Sequence, residues 1–456
     1  MNMSSVKKIG LFACTGVVAG NMMGSGIALL PANLASIGGI AIWGWVISII
    51  GAMSLAYVYA RLATKNPQQG GPIAYAGEIS PAFGFQTGVL YYHANWIGNL
   101  AIGITAVSYL STFFPALNNP IPAGIACIAI VWLFTFINML GGAWVSRLTT
   151  IGLFLVLIPV VLTAVAGWHW FDIATYHANW NTSTTTDSHA IVKSILLCLW
   201  AFVGVESAAV STGMVKNPKR TVPLATMLGT ALAGIIYIAA TQVIAGMFPA
   251  SVMASSGAPS FRYGLFRRAP FAISTSTILG GWAAPLVSAF TAFACLTSLG
   301  SWMMLVGQAG VRAANDGNFP KIYGEMDKNG IPKKGLLLAA VKMTALMILI
   351  TIMNSSGGKA SDLFGELTGI AVLLTMLPYF YSCVDLIRFE GFNIRNSVSL
   401  ICSVLGCAFC FIALMGASSF ELSGTFIVSL IILMFYGRKM HQRQNNDSDN
   451  NTAEAL

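Results

Sequence analysis

Glu206 is the residue of this chain whose position most needs a chemical reason. Of fifteen Asp and Glu, it alone falls deep within a well-defined apolar segment, in LWAFVGVESAAVSTG at 199–213. A charge at that depth costs several kcal/mol unless it faces a cavity or a partner. Gly204 stands two residues before it. A second interruption, NMMGSGIALLP at 21–31, sets Gly24, Ser25 and Gly26 inside a stretch that is apolar from Ile9 to Ile42. Irregular backbone is tolerated at membrane depth only where it lines a cavity or is buried in protein. Close helix packing through small residues is the other reading of such a break. Two breaks at matching places in two halves of a chain point instead to a central binding site.

Interrupted helices expose N–H groups at one broken end and C=O groups at the other. The free N–H groups after Ser25 suit a carboxylate. The carbonyls before Gly24, and those from Trp200 to Val203, suit an ammonium group. A ligand carrying both groups, an amino acid, fits the pair of breaks. Glu206 in an otherwise neutral pocket favours a cationic ligand, and it is also placed to exchange a proton.

The rest of the chain must carry these breaks across a bilayer. The 456 residues are 56% hydrophobic and only 9% charged, against about 25% charged in a soluble domain. That excludes an ordinary soluble enzyme. Many apolar runs suffice to cross about 30 Å of hydrocarbon. Twelve helices are expected, near 9–36, 39–62, 82–114, 121–141, 147–168, 190–213, 222–248, 271–314, 336–354, 362–386, 396–416 and 420–437. The first run is too long for a signal peptide and is expected to stay as the first span. The polar tail, 438–456, is expected to be disordered.

With both termini placed inside, Lys7, Lys8, Arg61, Lys65, Arg147, Lys216, Lys219, Arg220, Arg312, Lys321, Lys328, Lys333, Lys334, Lys342, Arg388, Arg395, Arg438, Lys439 and Arg443 fall on the inner side. Lys193, Arg262, Arg267, Arg268 and Lys359 fall outside. The tally of 19 against 5 fixes cytoplasmic termini. It also explains the net charge of +9 without nucleic acid. All eight Cys lie in apolar runs and read as packing residues. Cys402, Cys407 and Cys410 lack a His and a zinc spacing, so no metal is expected, and no cofactor.

GNMMGSGIALLPANLASIGGIAIWGW, NPQQGGPIAYA at 66–76, WIGNLA at 96–101, LWAFVGVESA, VKNPKRTVPLAT at 215–226 and LTSLGSWMMLVGQ at 296–308 together resemble the basic amino acid/polyamine antiporters of the amino acid–polyamine–organocation superfamily. The resemblance covers nearly the whole chain. It implies an all-α polytopic membrane protein with the leucine-transporter-like fold. The single transporter domain, 1–437, would contain five plus five inverted helices, about 9–168 and 190–386, with helices 1 and 6 broken. Two further helices, about 396–437, often support a homodimer in this family. It also implies a bacterial inner-membrane exchanger that takes in a basic amino acid and releases the matching diamine. Lysine for cadaverine leads, working with a cytoplasmic lysine decarboxylase in acid resistance. Proton-coupled cadaverine uptake is a further expectation, and ornithine/putrescine and arginine/agmatine exchange are the alternatives.

Carried over motif by motif, the resemblance gives a pocket. Ser25 and Gly26 would hold the carboxylate. Carbonyls of Met22, Trp200 and Val203 would hold the α-amine, with Trp200 stacked over the aliphatic chain. Ala94, Asn95 and Asn99 would line the distal end. Tyr91 and Glu206 would belong to the outer gate or to the pH-responsive part, and Trp302 would be a middle gate. Asn95, Ile102, Thr368–Gly369 and Glu366 depart from the arginine-exchanging members. These changes suit a compact ammonium better than a planar guanidinium. SFRYGLFRRAP at 260–270 has no equivalent in the family pattern.

Tyr237 is a further candidate for the cavity, His93 reads as a packing residue, and Asp316 as an inner gating or loop-capping residue. A membrane enzyme would need paired catalytic carboxylates, a nucleophile triad or a metal motif. A channel would need rings of charge or a filter sequence. Neither pattern is present in the sequence.

Overall fold

The structure, a computed structural model, describes residues 10–437 apart from 24–25, 66–69, 211–214, 255–265, 267, 356–359, 394–395, 420–421, 424 and 428. Among side chains, those of 360–368 also fall outside the description. Ser25 and the Glu366 side chain are therefore outside it, as are most of the 260–270 stretch and the tail.

Every regular element among the described residues is helical. The elements are α1 (Leu11–Met23), α2 (Leu30–Leu34), α3 (Ala41–Lys65), α4 (Pro72–Ile79), α5 (Pro81–Leu110), α6 (Pro120–Met139), α7 (Gly142–Ala166) and α8 (Ile173–Ala178). Then come α9 (Asp187–Trp200), α10 (Ser207–Val210), α11 (Pro218–Met247), α12 (Ala250–Ala254), α13 (Pro270–Leu279) and α14 (Ala283–Asn315). The chain closes with α15 (Lys333–Ser355), α16 (Ala360–Glu390), α17 (Ser397–Met415) and α18 (Thr425–Gly437).

Eight helices are long and apolar enough to cross a membrane: α3, α6, α11, α14, α15 and α17, with most of α7 and the Gly369–Glu390 part of α16. Exposed Leu133, Phe136, Phe154, Ile158, Ile352 and Phe411 lie on these helices, as a hydrocarbon surrounding demands. α5 is 30 residues long but less apolar. Its Gln86, Thr87, Tyr91, Asn95, Asn99 and Thr105 are all buried, so its polar side chains face protein.

One end of the molecule is tied by ion pairs. Arg61 and Lys65 of α3 meet Glu390 of α16 at 2.5 and 3.8 Å, while Arg388 meets Asp385 at 2.9 Å and Glu78 of α4 at 3.7 Å. At the opposite end, α8 and the residues after it are strapped to the chain leaving α2. Gly39 and Ile40 N–H donate to the carbonyls of Asn179 and Trp180 at 2.9 and 2.8 Å. Tyr176 donates to Gln242 of α11 at 2.7 Å.

Two expectations need correction. The expected eighth helix, 271–314, is two helices. Gly280, at φ +97°, ends α13, and a turn through Trp282 starts α14. Lys342, counted with the inner loops, is the tenth residue of α15 and lies within an apolar helix. The other ends fall within several residues of expectation, with α5 stopping at Leu110 before a turn.

Candidate functional site

Both breaks are present. α1 stops at Met23, and α2 begins at Leu30 with Pro31 in its first turn, where a missing N–H is harmless. After α9, the N–H groups of Ala201, Phe202 and Val203 reach back three residues, to Cys198, Leu199 and Trp200 carbonyls, at 3.1, 2.9 and 3.2 Å. The same tight winding continues past Gly204, with the Val205 N–H on the Phe202 carbonyl at 3.2 Å; the φ of +110° at Gly204 is costly for any residue with a Cβ. Ser207 then starts α10.

The two breaks touch. A Cβ on Gly26 would stand 2.2 Å from the Met22 carbonyl oxygen and 3.1 Å from the Ala201 Cα. A Cβ on Gly204 would stand 3.1 Å from the Trp302 ring and 3.4 Å from the Asn21 side chain. A hydrogen-bonded chain fixes this junction. Trp302 Nε1 donates to the Asn21 carbonyl at 3.2 Å, Asn21 Nδ2 donates to Ser207 Oγ at 2.9 Å, and Ser207 Oγ donates to the Gly204 carbonyl at 2.5 Å. Trp302 was anticipated here, but Asn21 and Ser207 were not. Their signal was available, since each is a polar residue flanking a break.

Glu206 is fully buried and accepts from three groups. Tyr91 Oη donates to Oε1 at 2.7 Å, Tyr379 Oη to Oε2 at 2.6 Å, and the Gly204 N–H to Oε2 at 3.2 Å. Three groups converge on the Glu206 carboxyl, two of them through short O–H···O contacts. Tyr91 was anticipated, whereas Tyr379 of α16 was missed. Tyr91 lies ten residues, about 15 Å at 1.5 Å each, from the start of α5 and twice as far from its far end. The cluster therefore sits nearer the ion-paired end of α5 than its far end.

Beyond Tyr91, α5 presents Asn95 and Asn99 at successive intervals of four residues, which puts all three on one face. Both amides are buried, and among the described residues neither their oxygens nor their nitrogens meet a hydrogen-bond partner. Leaving such a group unsatisfied costs about 1–3 kcal/mol. Ala94 is buried beside them. A Cβ on Gly98 would lie 3.2 Å from the Trp200 ring, so Trp200 roofs this same stretch of α5. Met22, Val203 and Trp302 are buried at the junction. The carbonyl of Trp200 takes the Val203 N–H at 3.2 Å.

Other candidates lie elsewhere. Tyr237 packs with Trp45 and Phe202, ring centroids 5.5 and 5.6 Å away, behind the α9–α10 break. His93 is anchored by Nδ1 to the Val89 carbonyl at 2.8 Å. Asp316 pairs with Arg312 at 2.8 Å and ends α14. The eight thiols are free. Among the described residues no group of His, Cys, Asp and Glu is arranged to hold a metal ion.

A family model described as amino acid permease matches residues 9–436. A protein of Escherichia coli K12 named cadaverine/lysine antiporter is 88% identical over 451 residues, 99% of each chain. The putrescine transporter PotE of the same strain is 32% identical over 391 residues, 85% of each chain. Its namesake in Haemophilus influenzae is 30% identical over 435 residues, 94% of this chain and 96% of that one.

Proposed function

The chain belongs to the amino acid permease family, and on that premise we propose that it exchanges external lysine for internal cadaverine. The 88% identity to a cadaverine/lysine antiporter across the full length supports this substrate pair over that of the more distant putrescine transporters. The observation that carries the site is the pair of buried amides, Asn95 and Asn99, unpartnered among the described residues, under Trp200 and next to the two touching breaks. In this reading their carbonyl oxygens accept from the distal ammonium of lysine or of cadaverine. The N–H groups around Ser25 and Gly26 take the lysine carboxylate, while the Met22 and Val203 carbonyls take the α-ammonium. Ala94 and Trp200 wall the methylene chain. Trp302 closes the middle of the path, with Glu206, Tyr91 and Tyr379 as the barrier toward the cytoplasm.

The chain would cross the bacterial inner membrane twelve times with both termini cytoplasmic. α1 to α7 and α9 to α16 would be the inverted halves, and α17 and α18 the added pair that supports a homodimer. Such an exchanger serves acid resistance together with a lysine decarboxylase. Decarboxylation consumes a cytoplasmic proton, and exchange exports the product.

The test is purified protein in vesicles loaded with cadaverine, putrescine, agmatine or buffer alone, and supplied with labelled external lysine. Cadaverine should drive the fastest uptake. One methylene in a fitted pocket is worth about 1–3 kcal/mol, so putrescine should do so at least about tenfold less efficiently. Lysine uptake independent of the internal diamine would overturn the exchange reading.

A further inference from the structure

The ammonium of Lys342 lies in an aromatic box. α15 is among the most apolar helices of the chain, and a charge inside such a helix requires a partner. No ion pair involving Lys342 occurs among the described residues. Instead, its Nζ lies 4.7 Å from the Tyr92 ring centroid and 5.2 Å from that of Tyr323. These two rings meet edge to face at 84°, with centroids 5.6 Å apart. Phe319 packs against both rings, 5.0 Å from Tyr92 and 5.1 Å from Tyr323. Tyr92 is buried. Phe319, Tyr323 and Lys342 are half-buried, and exposed Pro320 and Lys321 flank the box, so it opens at the ion-paired end.

The occupant is informative. A lysine side chain is four methylenes and a primary ammonium. Cadaverine is five methylenes with a primary ammonium at each end. We propose that Tyr92 and Tyr323, braced by Phe319, form a second alkylammonium site at the cytoplasmic end, filled by Lys342 in this conformation and shared with diamine arriving from that side. The site is separate from the junction of the breaks, and its cargo rests on the exchange reading. Indole-like and phenol faces attract ammonium ions. A tethered group competes at an effective concentration in the millimolar range. Lys342 therefore keeps the box closed to dilute amines and yields it when diamine accumulates. Tyr92 also neighbours Tyr91 in sequence, so the box stands one residue along α5 from the Glu206 barrier.

The experiment is calorimetric titration of n-pentylammonium into the purified full-length chain, which tests the box without transport. Lys342→Met keeps the side-chain length and removes the tethered cation. It should bind n-pentylammonium about fivefold more tightly than the unaltered chain, while Lys342→Arg should match the unaltered chain. Lys342→Gln replaces the Met variant if that one does not fold. Adding Tyr323→Leu to the neutral variant should remove the gain. In vesicles, the neutral variant should reach half-saturation at about fivefold less cadaverine on the cytoplasmic face, with external lysine half-saturation unchanged. No gain in n-pentylammonium binding, or a gain that survives Tyr323→Leu, would overturn the proposal. Failure of the unaltered chain to exchange lysine for cadaverine would instead overturn the exchange reading, with the calorimetry still deciding the box.

Discussion

Replacing Tyr379 by Phe removes one oxygen and leaves the ring in place. That oxygen donates to Glu206 Oε2 at 2.6 Å, alongside Tyr91 at 2.7 Å and the Gly204 N–H at 3.2 Å. A hydrogen bond to a charged group contributes about 1.5–3 kcal/mol. If the cluster holds the cytoplasmic side shut, Tyr379→Phe should weaken this closed state by that amount relative to the open one. At about 1.4 kcal/mol per tenfold, the closed-to-open ratio should fall roughly 10- to 150-fold. Gly204 offers a direct readout, because its N–H is itself bonded to Glu206. Hydrogen exchange of the 201–210 segment should quicken by about the same factor, and the exchange rate of lysine for cadaverine should change with it. Gly204 exchange and turnover both matching the unaltered chain would refute the barrier role.

Gly204→Ala puts a Cβ at φ +110° and 3.1 Å from Trp302; it should lower stability by about 1–2 kcal/mol from the backbone alone, read as a drop in thermal midpoint with loss of exchange, and an unchanged midpoint would contradict the crowding. Ser25→Ala should weaken lysine more than cadaverine, since only lysine has a carboxylate, and equal losses in binding would count against the pose. One-for-one exchange should export one positive charge per cycle, because lysine carries +1 and cadaverine +2 with amines near about 10.4. A potential positive inside, clamped with potassium and valinomycin, should therefore speed lysine uptake, and indifference to potential would rule out that stoichiometry. Asp172 accepts from the Thr175 hydroxyl and from the Thr175 and Ala174 N–H groups, which holds its carboxyl below the usual 3.8. A lowered carboxyl adds stability that is fully present above its unfolded value and is lost progressively as pH falls from there through the folded one. Hydrogen exchange in 173–182 should thus rise as pH falls below the ordinary carboxylate value, and Asp172→Asn should raise it already at neutral pH and remove that pH dependence.

The breaks were legible because Gly-Ser-Gly and Gly-Val-Glu are out of place in oil, so composition alone marked them. The α5 positions Tyr91, Asn95 and Asn99 entered only through the resemblance of WIGNLA and its neighbours to the antiporter family. Tyr379 was not, because a tyrosine in an apolar helix beside Pro378 does not declare which neighbour it faces. That is decided by how α16 rotates against α5 and α10. The split at Gly280 was hidden for a related reason: the residues on either side of it are as apolar as a continuous span. Lys342 was miscounted because basic residues near helix ends usually snorkel to the surface, and no pattern in the sequence revealed the rings that hold it.

The Asn21–Ser207 bond has a consequence for how the chain is made. Its two ends stand 186 residues apart. At about 5–20 residues per second of synthesis, the ribosome adds Ser207 roughly 10–40 s after Asn21. During that interval the first broken segment waits in or beside the translocon without the partner that completes it. Its exposed backbone must be covered meanwhile by water, by the translocon wall or by the second and third spans. A delay between the two segments, such as a slow codon run before Ser207, would lengthen that exposure. Premature degradation of nascent chains should then rise, even though every residue of the finished protein is unchanged.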